Sequence, residues 1–211
     1  MTMPLVVLIS GRGSNLLSIL QAIETKRLDA QVHAVVSNND AAEGLRYAAQ
    51  FGVSTYVISG VEREHFERET NTIIDRIQPR LVVLAGFMRV LSDTFVTRLH
   101  NGLINIHPSL LPKFPGLHTH RRALAEGVKE HGASVHLVVP EVDAGPLLAQ
   151  VKVKVATNDT EQSLANKVII QEHILYPMCL QWFAEERVHL RDGTAFLDNE
   201  PLPKLFSEFS S

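Results

Sequence analysis

Cysteine is almost missing from this chain of 211 residues. Cys179 is the only one, which excludes an intrachain disulfide framework and suits a reducing compartment. No charge of one sign dominates. A formal net charge of −3 and a pI near 6.4 give no electrostatic basis for gripping nucleic acid or an anionic membrane. Long hydrophobic runs are missing as well. The run Leu5 to Ile9 is far too short for a membrane span, and Met1-Thr2-Met3-Pro4 before it has no basic segment of the kind that opens a secretory signal. There is no internal repeat, low-complexity tract or flexible linker. What remains is 45% hydrophobic and 20% charged, the balance of a globular protein. The expectation is a cytoplasmic enzyme with small-molecule partners, no nucleic acid and no membrane, built as one domain over residues 1–211.

The first half alternates strand and helix. Leu5 to Ile9 and Val32 to Val36 read as buried strands, Thr55 to Ile58 as a third and Leu81 to Ala85 as a fourth. Between them lie helical patterns at Leu16 to Ile23, Glu43 to Phe51 and Arg63 to Ile77. Continuous apolar strands joined by helices are the signature of right-handed crossovers and an open parallel sheet. After about residue 100 the pattern changes. Leu103 to Ile106 is a fifth strand, His107 to His120 a loop rich in proline and histidine, and Arg121 to Gly127 a helical turn or two. Ala133 to Val139 and Leu147 to Val155 are two further strands. Val151, Val153 and Val155 alternate with Lys152 and Lys154, which suits an antiparallel strand with one wet face. Asn158-Asp159-Thr160-Glu161 opens a long helix with capping residues, and Pro177 lies inside it. The predicted fold class is α/β, a three-layer Rossmann-like open twisted sheet. It is mainly parallel in the N-terminal half, with antiparallel strands in the C-terminal half.

Two motifs carry chemistry. Ser10-Gly11-Arg12-Gly13-Ser14-Asn15 joins a strand to a helix, where free N–H groups and the helix dipole favour an anion. The dinucleotide fingerprint fails, because Leu16 stands where the last glycine belongs, and no Gly-Lys-Ser/Thr follows to make a Walker loop. A mononucleotide or sugar phosphate fits Gly13, Ser14 and Asn15 better, and so does a plain tight turn. The second motif is Asn105-Ile106-His107-Pro108. Alternate residues of a strand share a face, so an amide and an imidazole point the same way at a strand end that Pro108 closes. Such a pair can hydrogen-bond a developing oxyanion and move a proton. It can equally be two polar residues capping a turn. The histidines at 107, 118, 120, 131 and 136 raise the further option of a metal hydrolase, but His118-x-His120 alone does not complete a zinc site.

Together these blocks resemble the phosphoribosylglycinamide formyltransferases, the folate-dependent glycinamide ribonucleotide transformylase branch of the formyltransferase superfamily. The resemblance runs through Ile9 to Leu16, Val83-Leu84-Ala85-Gly86-Phe87-Met88-Arg89-Val90-Leu91, Asn105 to Gly116, His131-Gly132-Ala133-Ser134-Val135-His136 and Val142-Asp143-Ala144-Gly145-Pro146. It implies transfer of a formyl group from 10-formyltetrahydrofolate, a co-substrate, to the amine of 5′-phosphoribosylglycinamide in purine (IMP) biosynthesis, with no metal. It further implies that Asn105, His107 and Asp143 are catalytic and that Gly13, Ser14 and Asn15 bind the phosphate. Glu172 would lie on the substrate-amine side, and Arg63, Met88, Arg89, Val90, Leu91 and Asn105 on the folate. Taken alone, Asp143 before Ala-Gly is an ordinary turn residue. On this reading residues 1–100 form a nucleotide- and phosphate-binding half and residues 101–211 a catalytic and folate-binding half. The assembly would be a monomer or homodimer. The alternative is another folate-dependent formyltransferase or a formyl-folate hydrolase of the same superfamily. The family's active-site turn raises the hypothesis of a cis Leu111–Pro112 peptide, against the low base rate of cis X-Pro bonds.

Overall fold

The computed structural model describes residues 2–209. Met1, Ser210 and Ser211, which the single-domain expectation also covered, lie outside them. Within the described residues the chain separates after Asn105 into two compact units.

The first unit contains strands β1 (Met3–Ile9), β2 (Ala30–Ser37), β3 (Ser54–Val57) and β4 (Leu81–Leu84), and the start of β5 (Leu103–His107). Helices α1 (Ser14–Glu24), α2 (Gly44–Gln50), α3 (Arg63–Ile77) and α4 (Asp93–Leu99) connect them. The strands lie in the order β5-β4-β1-β2-β3 and every pair is parallel. Leu5 to Ile9 on β1 have no exposed surface, as a strand covered on both faces requires. Leu16, Ile19 and Leu20 of α1 and Phe66, Ile73 and Ile74 of α3 are buried, so the apolar spacing read in the sequence is the packed face of each helix. The chain moves outward from β1 to β2 and β3, and in the other direction to β4 and β5. This reversal puts the topological switch point between β1 and β4, at the carboxyl ends of adjacent strands, the place where open parallel sheets receive ligands.

The second unit pairs β6 (Glu130–Leu137) antiparallel with β7 (Leu147–Lys154), and β11 (Lys204–Phe206) runs parallel beside β7. The short strands β8 (Val188–Arg191), β9 (Thr194–Leu197) and β10 (Glu200–Pro201) form a separate antiparallel sheet. Helix α5 (Thr119–Ala125) is short, and α6 (Glu161–Ala184) is a single helix of 24 residues with Pro177 inside it. Thr160 caps α6 with Ser163 closing the box: each side-chain oxygen accepts the other residue's N–H, at 3.1 and 2.9 Å. The fold class is the one expected, parallel pairing in the first half and antiparallel strands in the second. Among the described residues no helix is long and apolar enough to cross a membrane.

The structure adds to the expected elements. Helix α4 had no counterpart in the periodicity. Its seven residues are too few to display one, and its start rests on Ser92, whose side chain accepts from Phe95 N–H. Strand β5 reaches His107 rather than ending at Ile106, and β6 begins at Glu130 rather than Ala133.

Backbones pass unusually close between β6 and β7. A Cβ built on Gly132 would lie 1.9 Å from the carbonyl oxygen of Val151, and one on Gly145 would lie 1.8 Å from that of Leu137. Gly132→Ala is therefore expected to destabilise the protein by about 2–3 kcal/mol, because strand backbone must move to admit the methyl group. Urea unfolding measures this, and an unchanged midpoint would refute the close approach.

Candidate active site

His107 ends β5, where Pro108 removes the next ladder donor. Its side chain is 8% exposed, and both ring nitrogens face oxygen. Nε2 lies 2.9 Å from the carbonyl oxygen of Phe114; a carbonyl can only accept, so this nitrogen carries a proton. Nδ1 lies 3.4 Å from Oδ2 of Asp143, longer than a normal N–H···O bond but within ion-pair range. Asp143 in turn accepts the Gly116 N–H at 2.8 Å through Oδ2, and its Oδ1 is 3.7 Å from Nε2 of His136. A carboxylate with its side chain 10% exposed needs such company, since an isolated buried charge is costly.

The backbone is bent to make these contacts. Phe114, His118 and Asp143 have φ values of 55°, 58° and 55°, and Gly116 has 74°. Left-handed backbone at three non-glycine residues in so small a region marks a site whose surroundings determine its conformation. The turn after His107 is held by a polar network. Ser134 Oγ donates to the Ser109 carbonyl at 2.6 Å and accepts the Leu111 N–H at 3.0 Å. Gln150 Nε2 reaches the Leu111 carbonyl and Ser134 Oγ, each at 2.8 Å, and Ser109 Oγ donates to the Lys113 carbonyl at 2.6 Å. The Leu111–Pro112 peptide is cis, the hypothesis raised against the base rate, and Leu202–Pro203, which was not anticipated, is cis as well.

Three more histidines surround His107, and burial pushes each of them toward the neutral form. His131 is lowered to about 4, first by burial and then by the neighbouring His120 and His107. His120 is lowered by burial, with Glu161 opposing and His107 reinforcing the shift. His136 is lowered by burial against the raising effect of the Leu137 carbonyl and Asp143. His120 Nδ1 and His131 Nε2 lie 3.1 Å apart, so one proton is shared between two rings. Among the described residues no group of three or more His, Cys, Asp or Glu side chains is arranged to hold a metal ion.

In the first unit, Gly13 is the N-cap of α1, with φ 72°, no side-chain cap and no acidic residue in the first helical turn. A Cβ there would lie 2.4 Å from Cα of Gly44, so glycine is required by conformation and by space. Ser14 is half-buried and Asn15 buried at the open helix end. In the loop after β4, Met88 and Val90 are 69% and 64% exposed, whereas Leu91 is buried. Arg89 donates to the Val61 carbonyl at 3.2 Å and lies over the Phe66 ring, which stacks on Phe87. Arg63 is exposed at the start of α3. In the second unit, Glu172 is buried on α6. Burial, with Cys179 and then Glu172 adding to it, makes the Tyr176 phenol one turn further on harder to ionise than usual.

Residues 3–180 match the formyl transferase family model, and the chain is 48% identical over 204 residues to the phosphoribosylglycinamide formyltransferase of Escherichia coli K12, covering 95% of this chain and 96% of that one. The chain belongs to the formyl transferase family. Among solved structures, the phosphoribosylglycinamide formyltransferase of Coxiella burnetii in complex with CHES superposes with a TM-score of 0.92 at 45% identity, over 98% of this chain and all of that one. A formyltetrahydrofolate deformylase from Pseudomonas syringae is more distant, with a TM-score of 0.87 and 26% identity over 93% of this chain and 66% of that one.

For a formyl transferase chain read from sequence, His107 and Asp143 are brought together as expected. The partners that fix them were missed. The Phe114 carbonyl and Gly116 N–H are backbone groups without a side-chain signature. His136 did leave a signal, since strand alternation puts it on the same face as Ser134.

The neutral histidines give stability a defined pH dependence. An unfolded His131 takes up a proton near pH 6.5, while the folded one resists until about 4. The unfolded state therefore binds more protons in this window, and stability, complete above pH 6.5, falls as the pH drops toward 4. Asp159, lowered to about 2 by its bonds from Lys167 and Ser163, loses its contribution only at lower pH. Urea midpoints between pH 7 and 4 should decline, and His131→Asn should flatten the slope; equal slopes in both proteins would contradict the assignment.

Proposed function

We propose that this chain transfers the formyl group of 10-formyltetrahydrofolate to the amine of 5′-phosphoribosylglycinamide, giving phosphoribosyl-N-formylglycinamide and tetrahydrofolate in purine biosynthesis. The observation that carries this reading is the His107–Asp143 pair, 3.4 Å apart, at the end of an Asn-x-His strand in a chain of this family. Residues 1–211 then constitute one formyltransferase domain, whose first half carries the phosphate loop and the folate-binding run and whose second half carries His107, Asp143 and Glu172. The enzyme works in the cytoplasm as a monomer or homodimer, on small molecules and not on nucleic acid.

The chemistry follows from the donors. The amine nitrogen attacks the formyl carbon, and the carbonyl electrons move onto oxygen. The Asn105 amide donates to that oxyanion as its charge grows. Collapse of the tetrahedral intermediate breaks the bond to the folate nitrogen, which must leave protonated. His107 supplies that proton, and the Asp143 carboxylate beside Nδ1 stabilises the imidazolium that precedes transfer. The amine loses one proton over the same sequence, so the reaction balances without an oxidant or a metal. Glu172 is the carboxylate on the amine side. The uncapped start of α1 at Gly13, Ser14 and Asn15 supports their assignment to the phosphate. Arg63, Met88, Arg89, Val90 and Leu91 take the folate. Leu91, being buried, can offer only its backbone, while Arg63 and Arg89 suit carboxylates.

A hydrolase would use the same centre with water in place of the amine. Single-turnover mixing of the two substrates, with a control lacking the ribonucleotide, separates the two. Tetrahydrofolate release that requires the ribonucleotide establishes the transferase, and equal release without it overturns this reading. His107→Ala and Asp143→Ala should each lower turnover at least about 100-fold while ribonucleotide binding is retained; near-normal turnover in both would end the proposed mechanism. Ser14→Ala should raise the KM for the ribonucleotide about threefold to tenfold with kcat kept, and an unchanged KM would remove Ser14 from the phosphate site.

A further inference from the structure

Ser10 takes no part in the proposed contacts, yet its three polar groups make four hydrogen bonds across three strand ends of the first unit. Its N–H donates to the Gly86 carbonyl at 3.1 Å. Its carbonyl accepts from Asn39 Nδ2 at 2.9 Å. Its hydroxyl donates to Asn38 Oδ1 at 2.7 Å and accepts the Met88 N–H at 2.8 Å. Gly86 and Met88 open the loop after β4, Asn38 and Asn39 follow β2, and Ser10 is itself the base of the glycine loop after β1. The next residue, Gly11, accepts the Gly44 N–H at 3.1 Å, so the glycine loop is fastened to its neighbours from Ser10 onward.

The far end of the loop after β4 has a second anchor of different chemistry. Glu67 is buried, and its carboxylate accepts both the N–H of Ser92 at 2.7 Å and the Ser92 hydroxyl at 2.5 Å. The run from Met88 to Leu91 is thus pinned by Ser10 in front and by Glu67 behind. Only the front pin is continuous with the glycine loop.

We infer that Ser10 is a positioning residue for both substrates. Its hydroxyl sets the Met88 backbone, and so the folate-binding run, in register with the phosphate loop, whereas Glu67 positions the folate-binding run alone. The inference rests on the proposed assignment of Met88 to Leu91 to folate and of Gly13 to Asn15 to phosphate. Removing the hydroxyl leaves the Met88 N–H and the Asn38 oxygen to find other partners. The loops on both sides loosen without any loss of a group that touches the reacting atoms.

The test is steady-state kinetics of the full chain with 10-formyltetrahydrofolate and 5′-phosphoribosylglycinamide, alongside melting temperatures. Ser10→Ala is expected to raise the KM for both substrates about threefold to tenfold, the size of one lost hydrogen bond, with kcat within about twofold. Ser10→Thr, which keeps a hydroxyl, should recover most of the loss. Glu67→Gln should raise the KM for the folate alone. Arg89→Ala serves as the control for the folate assignment. If Ser10→Ala leaves both KM values unchanged while Arg89→Ala raises that for the folate, the inference is overturned and the site assignment stands. If neither variant changes the KM for the folate, the folate assignment fails and this inference falls with it. A Ser10→Ala protein that melts lower but keeps both KM values shows a purely structural serine, which also overturns the inference.

Discussion

The second unit is organised around a carboxylate that has almost no water. The Gly116 N–H, His107 and His136 surround the Asp143 carboxylate, and each of these neighbours constrains a different stretch of chain. The β6–β7 connection must bring residue 143 inward in a left-handed conformation. The loop after His107 must turn a backbone N–H toward the same point. Burial holds His120, His131 and His136 toward the neutral form around this anion.

The first unit obeys a topological constraint. Parallel strands all end on the same side, so every loop that follows a strand is delivered to one edge, and the reversal of strand order between β1 and β4 sets two of those loops side by side at the switch point. The glycine loop and the run from Met88 to Leu91 are those two loops. Their side chains differ in kind: small donors at an open helix end in one, and exposed apolar groups with a guanidinium braced on Phe66 in the other. The framework is common to many proteins; the chemistry lies in what the strand ends carry.

Much of this was legible in the sequence, for identifiable reasons. Strands β1 and β4 are apolar runs because both of their faces are covered, and α1 and α3 are long enough for their spacing to declare them. Helix α4 and strands β10 and β11 have two to seven residues, too few for any period to emerge, and β11 exists because β7 offers it an edge. In the site, Asn105 and His107 were readable from an i, i+2 spacing. Asp143 lies 36 positions beyond His107, and no local rule joins them; only the family resemblance did so. The Phe114 carbonyl, the Gly116 N–H and the hydrogen bonds of Ser10 were beyond reach, because backbone partners are set by tertiary approach and leave no mark on residue identity.

The contact between Gly13 and Gly44 has a thermodynamic meaning. A Cβ on either residue would strike the other's backbone or its immediate surroundings, so the glycine loop is moulded against a second segment of main chain before any ligand arrives. A loop that must be ordered by its ligand surrenders part of the binding free energy to lost conformational freedom. Here that entropy was given up during folding. The two glycines thus move a cost from the binding equilibrium of any ligand this loop receives to the folding equilibrium, at the expense of the stability of the empty protein.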